Sequence, residues 1–162
     1  MAETEAQRAA RYAAKDLVDK LGVRPGDAVL LAGPKRDADL IRRIRAKAGR
    51  PAARAGETAD IVVLWPPNAA TLTADLRTLR TRITDTAGIW VITAKRDRER
   101  PGRPYLGNDL IALGLAAGLV DNKICSVSDE DTAMRFVIRK ADRRPDTKSD
   151  RTASAPQRYK DR

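Results

Sequence analysis

Histidine is absent from the chain, and cysteine occurs once, at Cys125. Without histidine there is no Ser-His-Asp or Cys-His catalysis, no imidazole proton shuttle and no histidine metal site. A lone cysteine excludes an intramolecular disulfide and any CxxC zinc site. Aromatic residues make up 4% of the sequence, too few for a broad stacking face for single-stranded nucleic acid. No apolar run approaches the roughly eighteen residues that span a bilayer, and the polar, mixed-charge N-terminus has no apolar h-region. The expectation is a soluble, cytoplasmic protein with no membrane partner.

Positive charge is abundant instead. The 32 Lys and Arg against 22 Asp and Glu give +10 over 162 residues, and the charge is unevenly spread. Residues 35–54 hold eight basic side chains against Asp37 and Asp39, and residues 139–162 hold nine against four. Residues 105–138 run the other way, with Lys123 and Arg135 against five acids. A molecule polarised in this manner attracts anionic partners without reading sequence. RRM, KH and helix-turn-helix signatures are missing, so specific nucleic-acid recognition is not expected.

Taken in order, the chain reads as an α/β protein. Ala6, Ala10, Ala13, Leu17 and Leu21 fall near one helical stripe over residues 3–21, and Gly22 suits its C-terminal cap. Pro25–Gly26 turns the chain into an apolar strand at Asp27–Ala32. Asp37 or Asp39 opens a helix with Leu40, Ile41, Ile44 and Ala48 on its buried side and Arg42, Arg43, Arg45 and Lys47 outside; Gly49–Arg50–Pro51 stops it. Residues 52–58 are read as a short edge strand. Ile61–Trp65 and Ile89–Ile92 are apolar on both faces, as central parallel strands are. Between them, Pro66–Pro67–Asn68 breaks the first strand and caps a helix carrying Leu72, Leu76, Leu79 and Ile83. Asn108 caps a last helix ending at Gly118, and Lys123–Val127 and Ala133–Arg139 form a hairpin. Self-association is least surprising at this predicted sheet edge.

The pattern predicts a Rossmann-like three-layer sandwich, with a mostly parallel sheet and a C-terminal antiparallel hairpin. The expected organisation is an N-terminal helix over 1–22, the sandwich over 23–141 and a disordered basic tail over 142–162.

The words Gly114–Leu115–Ala116–Ala117–Gly118–Leu119–Val120–Asp121–Asn122–Lys123–Ile124–Cys125–Ser126–Val127 and Arg135–Phe136–Val137–Ile138–Arg139 are specific. With Pro25–Gly26, Val63–Leu64–Trp65 and Trp90–Lys95, they resemble a family of small bacterial proteins of unknown function. Its members look like class I methyltransferase folds cut to a minimum. The resemblance covers about Leu21 to Arg139; it implies the fold and carries over no activity.

Two sites are weighed on the residues. A cofactor loop of the GxGxxG or GxxxxGK[ST] kind needs several glycines after the first strand, whereas Gly33 stands alone before Pro34. Glu57 is the acid nearest the weak second strand. No cofactor is therefore expected; S-adenosylmethionine is the one weighed, and Gly33, Trp65 and Asn68 are the expected pocket wall. In an open parallel sheet, ligands sit beyond the carboxyl ends of the strands. Lys35 and Arg36 after the first strand, and Lys95, Arg96, Arg98, Arg100 and Arg103 after Ile92, should stand there as an anion site. An alternative reading makes them a solvated charged loop. Asp129–Glu130–Asp131 lacks EF-hand spacing and is read as a solvated turn, not a metal site. Cys125 is read as a buried strand residue, and Asp60 as a strand start.

The expected function is thus a non-catalytic binding or accessory module on a degenerate methyltransferase-like fold, meeting an anionic ligand, an acidic protein or a nucleic-acid backbone. The alternatives are a small S-adenosylmethionine- or nucleotide-dependent transferase and a weak, sequence-nonspecific nucleic-acid binder.

Overall fold

A computed structural model describes residues 2–7 and 16–143. Residues 1 and 8–15 of the expected N-terminal helix, and residues 144–162 of the expected tail, lie outside the described residues. What is described at the N-terminus is a reciprocal cap, in which Thr4 Oγ1 accepts from Gln7 N and Gln7 Oε1 accepts from Thr4 N.

Five strands form one sheet in the order β1-β2-β3-β5-β4. They are β1 (Val29–Ala32), β2 (Ala59–Leu64), β3 (Ile83–Ala94), β4 (Leu119–Ser126) and β5 (Asp131–Ile138). β1, β2 and β3 are parallel, and β5 runs antiparallel between β3 and β4. The helices are α1 (Leu17–Lys20), α2 (Ala38–Ala48), α3 (Leu72–Arg80) and α4 (Asp109–Ala116), with a 3-10 turn at Lys140–Asp142. The three-layer α/β arrangement expected from the sequence is the one observed.

Local chemistry places the elements. Asp37 caps α2 by accepting from Leu40 N, and Gly49 ends it at φ 69°. Leu40, Ile44 and Ala48 bury one α2 stripe against Leu31, Val63 and Trp90. Leu72, Leu76 and Leu79 of α3 pack on the other face, against Val62, Leu64, Ile89 and Val91. β1, β2 and β3 step in one direction across the sheet while α2 and α3 cover opposite faces, so their two crossovers have opposite hands. One of them departs from the right-handed rule.

Several boundaries differ from the sequence reading. Ile83 starts β3 instead of closing α3, because Ala59 N already donates to Arg82 O there. β3 therefore runs for 12 residues. The hairpin strand β4 begins at Leu119, directly after Gly118 turns the chain at φ 81°. Residues 52–58 form no strand: Ala53 N donates to Val29 O on the outer side of β1, a single bond that covers the edge.

Candidate functional site

The parallel strands bring three loops to one edge of the sheet. These are residues 33–37 after β1, 65–71 after β2 and 95–108 after β3. A Rossmann sheet holds its ligand where the strand order reverses beside the first strand. Here β1 is the outermost strand and the order does not reverse beside it.

The β1 exit lies against the start of the loop after β2. Trp65 N donates to Ala32 O at 2.9 Å, the last bond of the β1–β2 ladder. Gly33 follows at φ 110°, and a Cβ there would overlap the Trp65 carbonyl oxygen and stand 2.8 Å from its carbon. That position demands glycine because a side chain would meet the neighbouring main chain. Trp65 is wholly buried, and its indole Nε1 has no partner.

The long loop is strapped down over this exit. Ala94 N donates to Pro104 O and Lys95 N to Glu130 O. Arg103 reaches across to Lys35 O at 2.8 Å with one nitrogen and to Asp131 Oδ2 at 2.6 Å with another. Arg100 donates to the same carboxylate oxygen at 3.0 Å. Asp131 is buried in this ion cluster, so the acid expected in a solvated turn instead anchors the loop. Its hairpin neighbours Asp129 and Glu130 are exposed. The sequence signal for Asp131 was weak, since only its place as first residue of β5 separates it from them.

Of the seven cations expected at this edge, then, Arg100 and Arg103 are held by Asp131, and Lys95 Nζ donates to Ser126 Oγ at 2.8 Å. Arg36 donates its Nε to Gly33 O, and Arg96 lies over the Tyr105 ring at 5.8 Å from its centroid. Among the described residues, Lys35, Arg36, Arg96 and Arg98 form no ion pair, and all four are exposed. The stem of Lys35 lies on Gly102, which joins the two groups into one rim.

Of the three expected pocket-wall residues, Trp65 is buried, Gly33 is half-buried and Asn68 is exposed. It lines a groove of 660 Å³ with Pro67, Arg100, Pro104, Tyr105 and Leu106 among others, beyond the ends of β2 and β3. Asn68 Oδ1 accepts from Thr71 N, which leaves its amide nitrogen toward solvent or a ligand.

Other candidates resolve structurally. Glu57 lies at the entrance of β2, on the opposite edge of the sheet, where both its oxygens accept from Arg50 at 2.8 and 2.7 Å. This guanidinium first, and the Arg54 backbone next, hold its carboxyl below the usual range. Burial pushes the Cys125 thiol up, away from thiolate chemistry. Asp60 ties β2 to β1 by accepting from Ala28 N. On α2, Arg42, Arg43 and Lys47 pair with Asp39, Asp16 and Asp19, so the outer face is much less cationic than its sequence. Among the described residues, no helix is long and apolar enough to cross a membrane, and no group of three acidic, cysteine or histidine side chains is placed to hold a metal.

No family model matches the chain. No curated protein matches it either. Solved structures do. The pyocyanin biosynthetic protein PhzM aligns at a TM-score of 0.55 and 14% identity, over 83% of this chain and 56% of its own. The calicheamicin-biosynthesis methyltransferase CalO1, with S-adenosylhomocysteine bound, aligns at 0.54 and 16%, over 82% and 56%. Magnesium protoporphyrin IX methyltransferase from Synechocystis PCC 6803, with bound S-adenosylmethionine, aligns at 0.51 and 14%, over 86% of both chains. Identities this low speak for the fold alone, which is Rossmann-like and methyltransferase-like.

Proposed function

We propose that the chain is a non-catalytic binding module on a methyltransferase-like fold, meeting an anionic partner at the rim beyond its parallel strands. The observation that carries this reading is the contact of Gly33 with the Trp65 backbone. A nucleotide-type cofactor needs the first loop open so that its backbone can approach the ligand. On this reading the first loop, with its one glycine held against Trp65, lacks the run of glycines that S-adenosylmethionine would need. Exposed, unpaired Lys35, Arg36, Arg96 and Arg98 then favour phosphate or carboxylate oxygens.

Fluorescence anisotropy with labelled polyglutamate and a labelled single-stranded oligonucleotide tests the reading. Binding of either probe should weaken at least fivefold in the Lys35→Gln/Arg98→Gln double variant and fall with added salt. Binding that is absent in the native chain, or unchanged in the double variant, would overturn it.

One observation favours a transferase as the second reading: an open groove at Asn68 and Tyr105 lies beyond the ends of β2 and β3. On that reading a cofactor would sit over β2 and β3, away from β1. Saturable binding of S-adenosylmethionine, lost in Asn68→Leu, would establish it.

A further inference from the structure

A second group of cations stands on the sheet itself, away from the rim. In the β4–β5 ladder, Lys123 and Arg135 are direct partners. Side chains directly opposite in an antiparallel pair lie about 5 Å apart at Cβ on the same face, where like charges repel. The face is the one that carries Cys125 and Ala133, since those partners lie two residues along the same ladder.

On its other side Arg135 pairs with Trp90 of β3, and its guanidinium lies across Gly88. A Cβ at Gly88 would stand 2.6 Å from Arg135 Cζ, so the glycine makes room for the flat guanidinium. Arg143 is anchored beside the strand end, with Nε donating to Ile138 O at 3.1 Å. Burial first, and then the charge of Arg143, lower the pKa of Arg135.

No carboxylate among the described residues pairs with any of the three. Asp121 is near in sequence, but the bulge at Asn122 sets it opposite Phe136 on the other face of the sheet. Asp142 pairs with Arg139. Ordinary ion pairing neutralises most cations on α2, whereas these three, including the half-buried Arg135, form no ion pair among the described residues. A bound oxyanion would remove the repulsion and use the planar donor fork of Arg135.

We infer that Lys123, Arg135 and Arg143 form a phosphate-binding site on this face of the β4–β5 hairpin. It is separate from the rim, because Arg135 stands four residues along β5 from Asp131 and faces mid-sheet Trp90. The phosphate group is either free, as inorganic phosphate or a small phosphate ester, or part of a nucleic-acid backbone.

Thermal unfolding of the full chain tests the site. Samples carry millimolar inorganic phosphate, a short single-stranded oligonucleotide, or sodium chloride at matched ionic strength. A species that binds only the folded state raises the melting temperature, here by about 3 °C at roughly tenfold excess over its dissociation constant. Lys123→Gln is exposed and should fold. In chloride it should melt at or above the native chain, because repulsion is relieved, and it should lose the phosphate or oligonucleotide increment. Because an oligonucleotide also meets the rim, the series is run in the Lys35→Gln/Arg98→Gln background, where the increment should persist and Arg135→Gln should remove it. An increment from phosphate but not from the oligonucleotide assigns the free group, and the reverse assigns nucleic acid. The site is overturned if neither probe raises the native melting temperature beyond chloride, or if the increment survives in both Lys123→Gln and Arg135→Gln.

Discussion

Gly33 rests against the main chain of Trp65 so closely that position 33 has no room for a side chain. The contact holds the exits of β1 and β2 together. Gly33→Ala should therefore cost about 3 kcal/mol of stability, combining a positive-φ penalty with overpacking against rigid backbone. Gly56→Ala is the control: its φ is also positive, at 86°, but nothing lies within 4 Å. It should cost only about 1 kcal/mol. Urea unfolding of the two variants reads the difference, and equal losses would mean that the Trp65 contact adds nothing.

Asp131 holds Arg100 and Arg103, and through Arg103 it ties residues 95–108 to the β1 exit. Removing the carboxylate leaves the mostly buried Arg103 charge without its partner, which typically costs about 3 kcal/mol. Asp131→Ala should show that loss, and hydrogen exchange should quicken at Ala94 and Lys95. Asp129→Ala, on the exposed part of the same turn, should stay within about 0.5 kcal/mol of the native chain. An equally mild Asp131→Ala would deny the anchoring role.

α4 approaches the sheet through Gly114, where an added Cβ would lie 2.6 Å from Phe136 Cδ1. Alanine gains about 1 kcal/mol over glycine in a helix, but crowding a packed ring costs about 1–3 kcal/mol. The clash should win, so Gly114→Ala is expected to destabilise on balance. Combining it with Phe136→Leu should recover part of the loss, a coupling readable in a double-mutant cycle. Stabilisation by Gly114→Ala alone would show that α4 can shift outward.

Glu57 titrates below the ordinary carboxylate range because the Arg50 guanidinium holds its charged form. A folded-state pKa below the unfolded value contributes stability above the unfolded value, near pH 4.3, and loses it as pH falls through the folded one. Glu57→Gln should thus have a shallower acid limb than the native chain, the two stability curves converging below about pH 4. Parallel curves across that range would contradict the assignment.

Much of the fold was legible because its signals were local and strong. Ile61–Leu64 and Ile89–Ile92 are apolar on both faces, and Asp37 and Gly49 bracket α2 as caps should. The errors arose where tertiary pairing overrode local pattern. Ile83 continued a helical stripe by spacing, yet the bond from Ala59 N to Arg82 O begins a strand there. Residues 52–58 offered no such pairing beyond the Ala53 bond and stayed outside the sheet.

The candidate site was legible in place and less so in chemistry. The basic residues after β1 and β3 do gather at one edge. Their partners were hidden, because Asp131 lies 28 residues from Arg103 and reads as one of three equivalent turn acids. Nothing in the spacing distinguishes an arginine bound by a carboxylate from one that is exposed and unpaired.

The proposed non-catalytic module would bind no S-adenosylmethionine beside the Gly33–Trp65 contact. Isothermal titration of the full chain with S-adenosylmethionine tests it most directly. The proposal predicts no saturable heat at millimolar ligand. One-to-one binding at micromolar concentration, competed by S-adenosylhomocysteine, would contradict the account and make the chain a cofactor-binding protein.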